Sequence, residues 1–226
     1  MEDMYKTNFR LAFKTYKRWL RDPTGPVAPL LVLNFARYVV SPSLKKNYKK
    51  LLSTTEGKQV CLNSEEISEY TKTLNARPVG SVGNEYFKLF PPDHSLKSNL
   101  KRISSRGKEH REWIENQHPY SWLARRYRDT HDIWHVLTGF PPDDIGEMRL
   151  GMFTYAQTGA INWLMLAFGF LTVNGINLKH IRMMLEAYIM GKRAKYLLVE
   201  NYDKLLSEDL TSARIRLNIN AHHPQN

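Results

Sequence analysis

Apolar positions recur at three- and four-residue intervals along most of the chain, and no alternating run is long enough to demand a strand. The pattern predicts an all-α fold. Over residues 1–21, Tyr5, Phe9, Ala12, Phe13, Tyr16 and Leu20 form one stripe, with Lys and Arg on the other face. A core-packing helix needs such a stripe, and a basic back opposite aromatics would also suit anionic headgroups. Asp22-Pro23 and Gly25-Pro26 break the chain, and Pro29 to Val40 predicts a second apolar helix ended by Ser41-Pro42. Residues 43–62 are basic and poorly periodic. Asn63 and Glu66 have the spacing of a reciprocal cap, which would open a short helix to about Leu74. Pro78 to Gly83 reads as a loop, followed by an aromatic helix with Tyr86, Phe87, Leu89 and Phe90 that Pro91-Pro92 stops.

The second half is more sharply punctuated. Pro119 to Thr138 predicts a helix, with Trp122, Leu123, Arg126, Tyr127 and Trp134 at helical spacing. Gly139 stands where a helix C-terminus wants it, and Pro141-Pro142 prevents continuation. Asp143 or Asp144 would then cap a long helix to about Val173, and Asn177 would open another to about Asn201. A last helix is expected from about Ser207 to Arg216, with a frayed tail from Ala221 to Asn226. The whole reads as a single-domain multi-helix bundle: amphipathic helices over 1–62 and a helical core over 63–220.

Composition agrees with one domain. At 226 residues, 42% apolar and 24% charged, the chain can bury a proper core. The single cysteine, Cys61, excludes an intramolecular disulfide and any multi-cysteine metal centre. The net charge of +11 attracts anionic partners, and part of the excess lies in residues 1–21 and from Arg182 to Lys195. No groove-reading motif accompanies it, so nucleic acid is not expected. Ala160 to Val173 is the longest near-continuous apolar run, fourteen residues broken by Asn162, short of the roughly twenty that span a bilayer. Glu2, Asp3 and the lack of an apolar core speak against a secretory signal. The expected location is intracellular, either cytoplasmic or peripherally associated with a membrane.

The chemistry concentrates in His131-Asp132-Ile133-Trp134-His135. Two histidines four apart share one helix face, so their imidazoles can converge on one ion. Glu147 falls in the first turn of the next helix, which the Gly139–Asp143 turn would fold back beside the first. Asp132 would bind the ion directly or orient an imidazole. Bland readings exist for each: a surface His pair, an Asp132 ion pair with Arg125 or Arg128, and a Glu147 that only completes a cap with Asp144. The pentapeptide is not HExxH, since Asp132 stands where a metalloprotease needs Glu. It does match the His-Asp dyad of HD-type phosphohydrolases. His110 or His118 would have to complete that site, and no clear late Asp presents itself beyond Asp203 and Asp209.

Arg126 to Phe140, with Glu147 beyond it, resembles the signature of the coenzyme Q biosynthesis protein 4 family. Pro78-Val-Gly-Ser-Val-Gly83 before Tyr86-Phe87, and Gly191-Lys-Arg-Ala-Lys195, extend the resemblance over roughly residues 70–217. It implies an all-helical protein of prenylquinone biosynthesis, with His131, Asp132, His135 and Glu147 as metal ligands. It also implies metal-dependent oxidative decarboxylation at C1 of a polyprenylated aromatic acid, or else a non-catalytic prenyl-lipid scaffold. Peripheral membrane association and other quinone-biosynthesis proteins as partners go with it. Mixed imidazole and carboxylate ligands suggest zinc first, then manganese or iron, and magnesium where oxygens dominate. An isoprenoid tail would lie in an apolar groove beside the site, with Trp163, Met165, Phe168 and Phe170 as candidate lining and Gly159 and Gly169 allowing close approach; the same composition equally suits a helix buried all round in the core. Arg125, Arg126 and Arg128 are the candidate anion holders. Exposed aromatic stripes also suggest a homodimer.

Overall fold

The computed structural model describes residues 6–22, 28–63, 66–91 and 108–220. Among them the regular structure is all helical, with one isolated antiparallel bridge between Ser81 and Asp209. The first helices are α1 (Phe9–Arg21), α2 (Ala28–Val39), α3 (Ser41–Leu52), α4 (Thr55–Asn63) and α5 (Ile67–Tyr70). A 3-10 turn, Thr71–Ala76, leads to α6 (Val82–Leu89), and α7 (Lys108–Glu115) precedes α8 (Pro119–Thr138). After it come α9 (Asp144–Thr158), α10 (Ile161–Val173), α11 (Leu178–Arg193), a 3-10 turn at Leu197–Val199, α12 (Tyr202–Ser207) and α13 (Leu210–Leu217).

The central element is α8. It touches α3, α5, α6, α7, α9 and α13, which is why fifteen of its twenty residues are buried. Its boundaries follow from residue chemistry. Pro119 lies in the first turn, where a missing N–H costs nothing, and Gly139 ends it at φ 72°. Leu123, Ile133 and Leu137 are fully buried in a core shared with Leu44 and Leu51 of α3, Phe153 of α9 and Leu205 of α12. That one core takes in residues on both sides of the 62/63 boundary. Arg214 of α13 caps the far end of α8, donating to the carbonyls of Val136 and Leu137 at 2.9 and 3.0 Å.

Several expected boundaries move. The second helix does end before Ser41-Pro42, at Val39, but the same proline also opens α3, since it fits the first turn of a new helix. The basic stretch 43–62 is helical, its inner face made partly of buried polar Ser43 and Asn47, which hides the stripe. Asn63 is the last residue of α4, and Glu66 pairs with Arg125 instead of capping. The long helix expected from Asp143 to Val173 is two helices, broken where Gly159 adopts φ 66°. The Asn177 cap holds, but α11 stops at Arg193 rather than Asn201. Asp209 caps the last helix, which begins at Leu210. The expected start of the first helix before Lys6 and the tail from Ala221 lie outside the described residues.

Helix α1 packs on α2 and reaches α10, where Trp19 is buried against Leu31, Leu166 and the ring of Phe170. Gly169 makes this fit, since a Cβ there would stand 2.1 Å from the Trp19 ring. No helix among the described residues is long and apolar enough to cross a membrane.

Candidate metal centre

The site is built on one helix, one turn and the start of the next. His131 and His135 lie one turn apart on α8, both buried. The chain leaves α8 at Gly139, and Asp143 caps α9 by accepting from the Gly146 N–H at 2.8 Å. Gly146 is required there, because a Cβ would meet the Pro141 carbonyl oxygen at 1.7 Å. The turn therefore closes tightly, and it sets Glu147 opposite the two imidazoles. Since Asp143 does the capping, the Glu147 carboxylate is free for them.

Glu147 Oε2 lies 3.1 Å from His131 Nε2, and Oε1 lies 3.2 Å from His135 Nε2. One ligand atom from each of the three residues lies within 4.8 Å of the others. Donors around one tetrahedral zinc stand about 3.3 Å apart, given bonds near 2.0–2.1 Å. The two His–Glu147 separations match that spacing, and the three ligand atoms together lie close enough to share one ion.

Proton accounting points the same way. His135 Nδ1 faces the Phe140 carbonyl oxygen at 2.9 Å, which can only accept, so Nδ1 carries the hydrogen. In the neutral ring Nε2 is then a lone pair, aimed at a carboxylate oxygen that is also an acceptor. Two acceptors facing each other require positive charge between them, supplied by a proton or by a metal ion. The residues fit a divalent cation.

The electrostatics are those of a charged cluster. Desolvation is the largest influence on Glu147 and pushes its carboxyl up, but the two imidazoles outweigh it and hold it well below the usual range. For His131 desolvation pushes down, and the Glu147 charge and hydrogen bond, with Asp132, carry the balance upward. Asp132 is raised by burial, against the two imidazoles, with Glu147 and Asp129 adding to the rise. The Tyr86 hydroxyl on α6 is raised by burial and by Asp132 and Asp129. The Glu147 side chain is 31% exposed, so the centre opens to solvent on the α9 side.

Asp132 is buried beside the cluster but outside the trio whose ligand atoms converge. Of the candidate arginines, Arg125 binds Glu66 at 2.6 Å and the carbonyls of Ile114 and Asn116. Arg126 is buried, donating to the carbonyls of Leu198 and Glu200, and Arg128 pairs with Asp129. The four α10 candidates diverge. Trp163 stacks on His131, Met165 packs against the Ala12, Phe35 and Val39 cluster, Phe170 packs on Trp19, and Phe168 is 49% exposed. His118 caps α8, its Nδ1 accepting from the Tyr120 N–H, while the His110 side chain lies outside the described residues. Sequence reasoning missed the Phe140 carbonyl and the ring of Phe90, 5.8 Å from that of His135. No residue type signals a backbone acceptor.

Fold and site together define an all-helical protein with a His-His-carboxylate centre across a helix–turn–helix. The chain belongs to the Coq4 family, described as coenzyme Q (ubiquinone) biosynthesis protein Coq4, whose model matches residues 24–223. It is 25% identical over 182 residues to the ubiquinone biosynthesis protein COQ4 homolog, mitochondrial, of Xenopus tropicalis, covering 78% of this chain and 62% of that protein. The human protein of the same description is 26% identical over 172 residues, covering 74% and 62%. The chain thus spans about three-fifths of the length of these curated relatives. A crystal structure of a Nostoc punctiforme protein, provisionally described as a ubiquinone biosynthesis protein, superposes with a TM-score of 0.65 at 19% identity. That match covers 95% of this chain and all of the other, and it supports the fold.

Proposed function

We propose that this chain acts in ubiquinone or related prenylquinone biosynthesis, binding a divalent metal through His131, His135 and Glu147, with Asp132 as a fourth ligand or a support. Family membership supports the pathway. The observation that carries the metal reading is the convergence of one ligand atom each from His131, His135 and Glu147 to within 4.8 Å of one another. Zinc is the first ion to test, followed by manganese, iron and magnesium.

The substrate in this reading is a polyprenylated aromatic acid, and the reaction is oxidative decarboxylation at C1. The ring loses its carboxyl group as carbon dioxide and gains a hydroxyl, with dioxygen reduced and two further electrons drawn from a partner. The metal supplies Lewis-acid polarisation of the acid's oxygens. The protein's own groups do the rest: the Phe140 carbonyl holds His135 in one tautomer, and Glu147 balances the imidazoles. Incubating metal-loaded protein with the prenylated acid, dioxygen and a reductant should yield carbon dioxide and the C1-hydroxylated product. A complete lack of turnover supports the second reading, a prenyl-lipid-binding scaffold for the pathway's other enzymes. The internal bonding of Arg125 and Arg126, which keeps two candidate anion holders away from the centre, favours that reading.

The lipid substrate would be met at a membrane. On α11, Leu178, Ile181, Leu185 and Ile189 are exposed at spacings of three and four, opposite buried Met184, Ala187 and Gly191. Val173 and Ile176 continue the apolar surface at the α10–α11 turn, and Lys179, Arg182, Lys192 and Arg193 are exposed on the same helix. Apolar side chains flanked by cations fit an anionic lipid surface, where each basic residue contributes about 1 kcal/mol.

A further inference from the structure

We infer that Trp163 is a positioning residue for His131, an inference that rests on the metal reading above. A metal-binding imidazole is usually fixed in its plane by a hydrogen bond from its second nitrogen. His135 has that bond, to Phe140. His131 differs: among the described residues its buried Nδ1 has no hydrogen-bond partner. What His131 has is a face. The Trp163 ring lies 4.9 Å from it, centroid to centroid, with the planes 12° from parallel. The His135 ring stands against it at 5.0 Å and 86°. Apart from the Glu147 contact at Nε2, the His131 ring is held between a stacked indole and a perpendicular imidazole.

The backbone is arranged to deliver that contact. Trp163 sits at the start of α10, and α10 comes close to α9 over Gly151, where a Cβ would lie 3.0 Å from the Trp163 carbonyl oxygen. Among the described residues the buried Trp163 Nε1 also has no hydrogen-bond partner.

The stack favours the loaded site. An ion on Nε2 withdraws electrons from the imidazole, and an aromatic face attracts an electron-poor ring more than a neutral one. A contact that is stronger in one state shifts the equilibrium toward that state. Trp163 therefore raises affinity for the ion as well as setting the ring plane.

Cobalt(II) titrated into the whole chain tests this without reference to turnover, since its visible absorption reports ligand geometry and its titration reports affinity. Trp163→Leu should weaken cobalt binding about tenfold, the low end of what lost ligand support costs, and shift the visible bands. Trp163→Phe keeps a stacking face and should restore both to near wild type. If the Leu variant does not fold, Trp163→Met carries the same comparison, because Met fills irregular space without a ring face. Wild-type affinity and an unchanged spectrum in the Leu or Met variant overturn the inference. A wild-type chain that takes up no cobalt overturns the metal reading itself, a result recognisable before any variant is made.

Discussion

The Nδ1 of His135 donates to the carbonyl oxygen of Phe140 at 2.9 Å, across the turn that joins the two halves of the site. This bond commits the other nitrogen of the ring to the Glu147 side. It also ties the ligand geometry to the shape of the turn.

Metal should stabilise the chain measurably. At an ion concentration a hundred times Kd, binding to the folded state alone adds about 2.7 kcal/mol. For a chain of this size that raises Tm by about 5–10 °C. Adding a chelator should reverse the rise, and His135→Ala or Glu147→Gln should show none. A Tm that ignores both metal and chelator contradicts the site.

Asp132 should trade stability for binding. Its carboxyl is raised mainly by burial, so its contribution to stability is full below the unfolded value and is lost as pH rises through the folded one. Asp132→Asn removes that loss. In chelator-stripped protein the variant should gain on wild type as pH rises from acid to neutral, while its metal affinity falls. A stability difference from wild type that does not change with pH argues against this account.

Gly146→Ala should be far more damaging than Gly159→Ala. A Cβ at Gly146 would stand 1.7 Å from the Pro141 oxygen, so the turn must open and Glu147 must leave the imidazoles. At Gly159 a Cβ would meet nothing within 4 Å among the described residues, and the positive φ is penalised by about 1–2 kcal/mol. The check is metal titration alongside thermal melting: Gly159→Ala should still bind, and Gly146→Ala should not.

The α11 surface should bind vesicles of anionic lipid in co-sedimentation and leave neutral vesicles in solution. Ile181→Glu with Leu185→Glu should abolish the binding, and added salt should weaken it. If the same pair of changes instead converts a dimer to a monomer in ultracentrifugation, the face joins two copies of the chain.

How much of this was visible in the residues depended on where each interaction closes. Helix α8 was legible to the residue because Pro119 and Gly139 punctuate both ends. His131, His135 and Glu147 were legible because helix periodicity and one short turn bring them together. The break at Gly159 was not, since apolar residues continue on both sides and a glycine in such a pattern declares no φ. Arg125 and Arg126 read as candidate anion holders, but their acceptors lie far along the chain, at Glu66 and at Leu198 and Glu200. The divergence of Trp163, Met165, Phe168 and Phe170 followed from helix packing that no local pattern encodes.

Glu147 is 12 residues from His135 and 16 from His131. Bringing such near neighbours together costs little loop-closure entropy compared with joining remote segments. An ion at the proposed centre would therefore need only α8 and the first turn of α9 in place to meet its three ligands.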